Sequence, residues 1–138
     1  VKDMSSNILV SHVMKNTLVV TIDTTLNKIM KQVNWNHYSC IVVIDGDNGL
    51  FGIITRQLIG YASKRKMNFQ TVQAWEVCTP NIITIPPDTT LKAAIEYMID
   101  NRRHLIIKED DRYTGVITPL DILSLINWDD SEKLVVNS

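Results

Sequence analysis

Thr-Leu-Asn-Lys-Ile-Met at residues 25–30 returns as Thr-Leu-Lys-Ala-Ala-Ile at residues 90–95, and the echo spreads in both directions. Upstream, Leu-Val-Val-Thr-Ile-Asp-Thr-Thr-Leu (18–26) matches Asn-Ile-Ile-Thr-Ile-Pro-Pro-Asp-Thr-Thr-Leu (81–91), the second copy being longer by Pro86 and Pro87. Downstream, Ser-Cys-Ile-Val-Val-Ile-Asp (39–45) matches Arg-His-Leu-Ile-Ile-Lys-Glu (103–109), and Gly-Ile-Ile-Thr (52–55) matches Gly-Val-Ile-Thr (115–118). Self-similarity of this extent marks a duplication. Each copy opens with a β-branched strand, Leu18–Ile22 or Ile82–Ile85, and continues into an amphipathic helix. Leu26, Ile29, Met30 and Val33 stand at i, i+3, i+4 and i+7, and Leu91, Ala94, Ile95 and Met98 repeat that spacing. Two short apolar runs joined by a polar turn follow in each copy: Ile41–Ile44 with Leu50–Thr55, and Leu105–Ile107 with Tyr113–Thr118. These read as β-hairpins. A closing helix ends each copy, over Gln57–Lys64 and Leu120–Ile126.

The expected fold is therefore α+β, an α/β-type sandwich of two pseudo-symmetric β-α-β-β-α repeats packed together. The first repeat is placed at 8–62, a linker at 63–70, the second repeat at 71–127 and a frayed tail at 128–138. A repeat of about 55 residues is too small to be secure alone, so the two are expected to share a core, with a cleft between them.

Composition narrows the function. The chain has 138 residues, 45% apolar and 21% charged, with a net charge of -1. That balance argues against broad electrostatic binding to nucleic acid or anionic lipid. No apolar run reaches the roughly 18–20 residues of a membrane span, and the first residues lack the shape of a signal peptide. Cys40 and Cys78 lie in different segments with no Cys-x-x-Cys partner, so two reduced thiols in a cytoplasmic protein are expected, with neither a metal site nor a disulfide. A first residue of Val1 suggests a chain cut from something longer.

Several tempting motifs fail on their context. Gly46, Gly49 and Gly52 lie between two strands, where a turn needs them, and not before a helix, where a nucleotide loop would. No phosphate-loop lysine motif, His-Glu-x-x-His or Gly-x-Ser-x-Gly is present. His37 and Cys40 read as a turn histidine beside a buried strand cysteine. Trp35, Trp75 and Trp128 have no basic residues interleaved and read as packing anchors, not as a base-stacking platform. No nucleophile, base and orienting group can be assembled, so no enzymatic chemistry is expected.

The informative segment is Gly-Val-Ile-Thr-Pro-Leu-Asp, residues 115–121, where a strand runs directly into a helix. Thr118 suits the N-cap, Pro119 the first helical position and Asp121 the third. On the structural reading, Thr118 and Asp121 form a capping box. On the functional reading, a helix N-terminus with free amides, a hydroxyl and a carboxylate receives a ribosyl phosphate. The carboxylate accepts from both ribose hydroxyls, and the threonine and amides meet phosphate or ribose oxygens.

The strand, helix, hairpin and helix given twice and closed by Gly-hydrophobic-x-Thr-x-x-Asp resemble a tandem pair of CBS domains, the Bateman module, over residues 8–127. Thr-Pro-Asn-Ile-Ile-Thr-Ile-Pro-Pro-Asp-Thr-Thr-Leu (79–91) and Asn-Arg-Arg-His-Leu-Ile-Ile-Lys-Glu (101–109) carry the same likeness. The resemblance implies a non-catalytic regulatory sensor of adenosine ligands: AMP, ADP, ATP, S-adenosylmethionine or cyclic di-AMP. Such a module has no required cofactor, forms a homodimer and signals to an attached or associated effector. It places the ribose contact on Asp121 with Thr118 beside it, and the adenine near Val20, Thr21, Ser39 and Cys40 with Val116. Phosphate contacts fall on Arg102, Arg103 and His104, and on Arg56 in the first copy. That copy departs from the pattern, because Gly-Ile-Ile-Thr-Arg-Gln-Leu (52–58) puts Leu58 where the acid belongs. One good site per chain is expected. The competing reading is a degenerate pair used only for dimerisation or protein contact.

Overall fold

The computed structural model describes residues 7–101, 103–119, 121–122, 126–128 and 134–136. The chain divides into two compact units, one formed by Lys15–Ile82 and the other by Val1–Met14 together with Ile83–Ser138.

The unit at Lys15–Ile82 contains β1 (Asn16–Thr21), α1 (Leu26–Gln32), β2 (Tyr38–Ile44), β3 (Leu50–Ile54), α2 (Arg56–Lys64) and the short α3 (Ala74–Val77). Its sheet runs in the order β1-β2-β3. Strands β1 and β2 are parallel, as a helical crossover requires, and β2 and β3 form an antiparallel hairpin. Leu26, Ile29, Ile41, Val43, Ile54, Ile59 and Ala62 build the core. The residues alternating with these on the hairpin, Val42 and Ile53, are fully buried too. Both faces of these strands are covered, which is why they read as unbroken apolar runs. The hairpin turn is held by Asp45, whose Oδ1 accepts from the amides of Asp47 and Gly49, each at 2.8 Å. Asn48 takes the left-handed conformation there with φ 64°, which asparagine tolerates.

The other unit repeats the plan with β4 (Ile82–Ile85), α4 (Leu91–Asn101), β5 (His104–Glu109) and β6 (Arg112–Ile117) in a sheet of order β4-β5-β6. Its core gathers Ile85, Leu91, Ala94, Ile95, Met98, Leu105, Ile107 and Ile117. The amide of Ile122 donates to the Thr118 carbonyl at 3.1 Å, opening a helical turn after β6.

The lead-in segments are exchanged. A single 3-10 turn at Val10–His12 precedes the first repeat in sequence, yet its Val10 amide donates to the Thr89 carbonyl at 2.8 Å, and the Leu91 amide donates to Ile8 at 2.7 Å. Val10 is fully buried in the core of the second repeat. The segment before the second repeat does the converse. The Leu26 amide donates to the Val72 carbonyl at 2.9 Å, the Ala74 amide donates to Thr24 at 2.8 Å, and Ala74 is fully buried in the core of the first repeat. Each repeat is thus completed by the other's lead-in. Within 63–70, Lys64 ends α2, and Met67 and Phe69 pack partly buried against the same core.

The chain end differs from expectation. Leu120 and residues 123–125 of the expected closing helix lie outside the described residues. Ile126, placed in that helix from sequence, instead belongs to a strand β7 (Ile126–Trp128), which pairs antiparallel with β8 (Leu134–Val136) inside the expected frayed tail. The triplet Leu134, Val135 and Val136 is apolar, and its two β-branched valines favour pairing.

Two glycines give a paired prediction. A Cβ on Gly52 would stand 2.7 Å from the Thr79 carbonyl oxygen and 2.9 Å from the Cys78 sulfur, whereas nothing lies within 4 Å of one on Gly60. Gly52→Ala is expected to lower stability by about 1–3 kcal/mol through overpacking. Gly60→Ala, in the interior of α2, should raise it by about 0.5–1 kcal/mol. Thermal melts followed by circular dichroism measure both.

Candidate functional site at the strand-to-helix turns

Strand β6 ends at Ile117, and the chain turns into helix at Thr118. The Asp121 amide donates to Thr118 Oγ1 at 3.2 Å, and the Thr118 amide donates back to Asp121 Oδ2 at 3.0 Å. This is the reciprocal capping box expected from the spacing. Thr118 is only 8% exposed, so a hydroxyl there needs its partner. Val116, fully buried, lies opposite Ile106 in the ladder. Leu105 and Ile117 form the last rung of the β5–β6 ladder, so His104, which opens β5, and Arg103 before it lie at the same end at which Thr118 follows β6. Exposed Arg103, half-buried His104, Thr118 and Asp121 therefore gather at one end of one hairpin. Arg102 lies outside the described residues.

The first repeat has the equivalent turn with one arm missing. Thr55 Oγ1 accepts from the Leu58 amide at 3.2 Å, but Leu58 has no carboxylate to return the bond. Ile41 and Ile54 form the last rung of the β2–β3 ladder, so Ser39 and Cys40 lie at the same end at which Thr55 and the exposed Arg56 lead into α2. Ser39 and Cys40 thus correspond in place to Arg103 and His104, a match already visible in the echo of 39–45 by 103–109.

Val20 and Thr21 are not brought to that end. Thr17 pairs with Cys40 across the parallel strands, so Thr21 stands four residues further on, about 13 Å away. Val20 is buried opposite Val43. The Thr21 hydroxyl donates to Asp23 Oδ1 at 2.6 Å and lies 3.0 Å from the Thr24 hydroxyl. That bond from Thr21, with the aspartate's own amide, holds the Asp23 carboxyl below the usual carboxylate range. The Cys40 carbonyl accepts from the Thr17 hydroxyl at 2.8 Å.

The thiols do not present an activated nucleophile. Cys40 is fully buried. Cys78 is half-buried, and burial pushes its thiol up from the ordinary value of 9.0.

Two expectations follow. Asp121→Ala should cost about 1 kcal/mol of stability by breaking the capping box, read by urea denaturation. Because folding favours the protonated Cys78 thiol, its contribution to stability is present below pH 9.0 and is lost as pH rises beyond it. Alkylation of the folded chain by iodoacetamide at pH 8 should accordingly run at least tenfold slower than that of the urea-unfolded chain.

Comparison with known proteins agrees with this architecture. The family model for the CBS domain matches residues 10–59 and 74–127. An uncharacterized protein of Methanocaldococcus jannaschii is 25% identical over 88% of this chain and 68% of its own length. The inosine-5'-monophosphate dehydrogenase of the same organism is 27% identical over 80% of this chain, which spans only 22% of that enzyme. Among solved structures, a conserved protein of Pyrococcus horikoshii superposes with a TM-score of 0.67 at 21% identity, covering 99% of this chain and 100% of the other. A CBS domain pair crystallised in complex with 5'-methylthioadenosine and S-adenosyl-L-methionine gives 0.65 at 22% identity over 85% of this chain and 98% of the other. With both model matches falling on the two repeats, the chain belongs to the CBS domain family and carries the domain twice.

Proposed function

We propose that this chain is a non-catalytic regulatory module that binds an adenosine-containing ligand at the second-repeat turn. The observation that supports this reading is the reciprocal Thr118–Asp121 pair, set at a strand-to-helix turn beside Arg103 and His104 and broken by Leu58 in the first repeat. A carboxylate offers about four acceptor positions. Two vicinal ribose hydroxyls match such an acceptor. The helix N-terminus and Arg103 favour an anionic or electron-rich group next to the ribose. Adenine contacts at Ser39, Cys40 and Val116, and phosphate contacts at Arg102, His104 and Arg56, belong to the proposal on the family resemblance; Val20 and Thr21, which the resemblance also implies, stand about 13 Å along the sheet from Cys40 and are left out of it. So do a cytoplasmic location, a homodimer and an effector that is attached or associated. Binding would act on that effector by as much as the ligand prefers one packing of the module over another.

A second reading has its own observation. The two bonds between Thr118 and Asp121 are those of a helix cap, so the pair could serve stability alone in a module for dimerisation or protein contact.

Isothermal titration with AMP, ADP, ATP, S-adenosylmethionine and cyclic di-AMP separates the two. On the sensor reading one of these binds near one per chain, and Asp121→Ala weakens it roughly 10- to 100-fold, the loss of a charge-assisted contact of about 1.5–3 kcal/mol. On the capping reading the variant melts earlier and no ligand of the panel binds either protein.

A further inference from the structure

The end of α2 carries a feature that the nucleoside reading does not use. At its C-terminus the Lys66 amide donates to the Ser63 carbonyl at 3.0 Å and the Met67 amide to Ala62 at 3.1 Å. These are the two bonds of a Schellman motif, whose left-handed position usually holds glycine. Here it holds Lys66, with φ 56°, a strained choice for a side chain with a Cβ. Lys66 completes the exposed run Lys64, Arg65 and Lys66. Among the described residues none of these three has an ion-pair partner.

Beside this run lies a cavity of about 180 Å³. Buried Ala62 and half-buried Leu58, Met67 and Val77 give it an apolar lining, and exposed Tyr61, Arg65 and Glu76 stand at its edge. Tyr61 is 49% exposed and neighbouring Trp75 50%. The Trp75 ring is fixed by its Nε1, which donates to Gln73 Oε1 at 3.0 Å. A cavity of this size takes one or two apolar side chains and is smaller than the usual drug-sized ligand pocket of roughly 300–1,000 Å³.

We infer that this α2–α3 surface docks an acidic amphipathic segment of a partner protein. Its apolar side chains would enter the slot, and its carboxylates would meet Lys64, Arg65 and Lys66. Charge decides among occupants. The patch sets three cations against the single carboxylate of Glu76, in a chain whose net charge is -1. Two copies brought together here would oppose like charges, whereas an acidic helix or strand is complementary. A nucleic acid would use the cations but leave the apolar slot without a purpose. The inference stands independently of nucleoside binding at Asp121.

The test uses the full chain and a fluorescent peptide of about twenty residues, with leucine or phenylalanine at every third or fourth position and glutamate between them. Anisotropy should show saturable binding. It should be at least tenfold weaker for the counterpart peptide with lysine in place of every glutamate, for a single-stranded oligonucleotide and for phosphatidylserine vesicles. Arg65→Glu and Tyr61→Glu, both at exposed positions, should each weaken the peptide at least tenfold with the circular dichroism spectrum unchanged. Lys66→Gly should raise the melting temperature while weakening the peptide several-fold, which a purely structural role for Lys66 would not produce. The inference is overturned if the acidic peptide does not bind, if the basic peptide, oligonucleotide or vesicles bind as well, or if Arg65→Glu leaves the affinity unchanged. It is equally overturned if Tyr61→Glu turns a dimer into monomers in sedimentation, because the surface then belongs to a second copy.

Discussion

A repeat of about 55 residues buries only a marginal apolar surface by itself, and the organisation of this chain follows from how that surface is extended. Each repeat lends its lead-in to the other. Val10 enters the core around Leu91, and Ala74 enters the core around Leu26, each tied by backbone hydrogen bonds at the start of the receiving helix. The two docking sites are formally alike, down to the bridges Leu9 with Thr90 and Gln73 with Thr25. One compact unit is therefore discontinuous, joining Val1–Met14 to Ile83–Ser138, and the other runs unbroken from Lys15 to Ile82. A change in one lead-in acts on the unit that receives it.

Duplication also creates two equivalent strand-to-helix turns, and they have diverged. Thr55 and Thr118 both cap the helix that follows, but only Asp121 returns a bond to its threonine. Leu58 has instead turned to apolar packing, against the first core and along the cavity beside α2. One repeat keeps a polar turn suited to a sugar and an anion. The other has given that position to hydrophobic contact. On the proposed reading, divergence of this kind would let one framework carry a ligand-reading end and a protein-reading face.

Much of the fold was legible in the residues. Helical spacing at Leu26–Val33 and Leu91–Met98, and unbroken β-branched runs at Ile41–Ile44 and Leu105–Ile107, located elements that the structure contains. Thr-Pro-x-Asp at 118–121 was enough to foresee both bonds of the capping box, because such a motif is local. The exchanged lead-ins were not legible. Val10–His12 and Ala74–Val77 are too short for a periodicity to develop, and their partners lie far away in sequence. The pairing of β7 with β8 was missed for a related reason: three-residue strands give no alternation to read. The clustering of Arg103 and His104 with Thr118 depends on hairpin register, which the turn sets and composition does not.

The account's central claim is that ligand binding belongs to the second-repeat turn and not to its first-repeat equivalent. Hydrogen–deuterium exchange, read by mass spectrometry with and without a saturating adenosine ligand, addresses it directly. The account predicts slowed exchange across residues 116–122, larger than any across the matching residues 53–58, where Arg56 alone is proposed to meet the ligand. Protection confined to 53–58, or no protection at either turn with ligand bound, would contradict it.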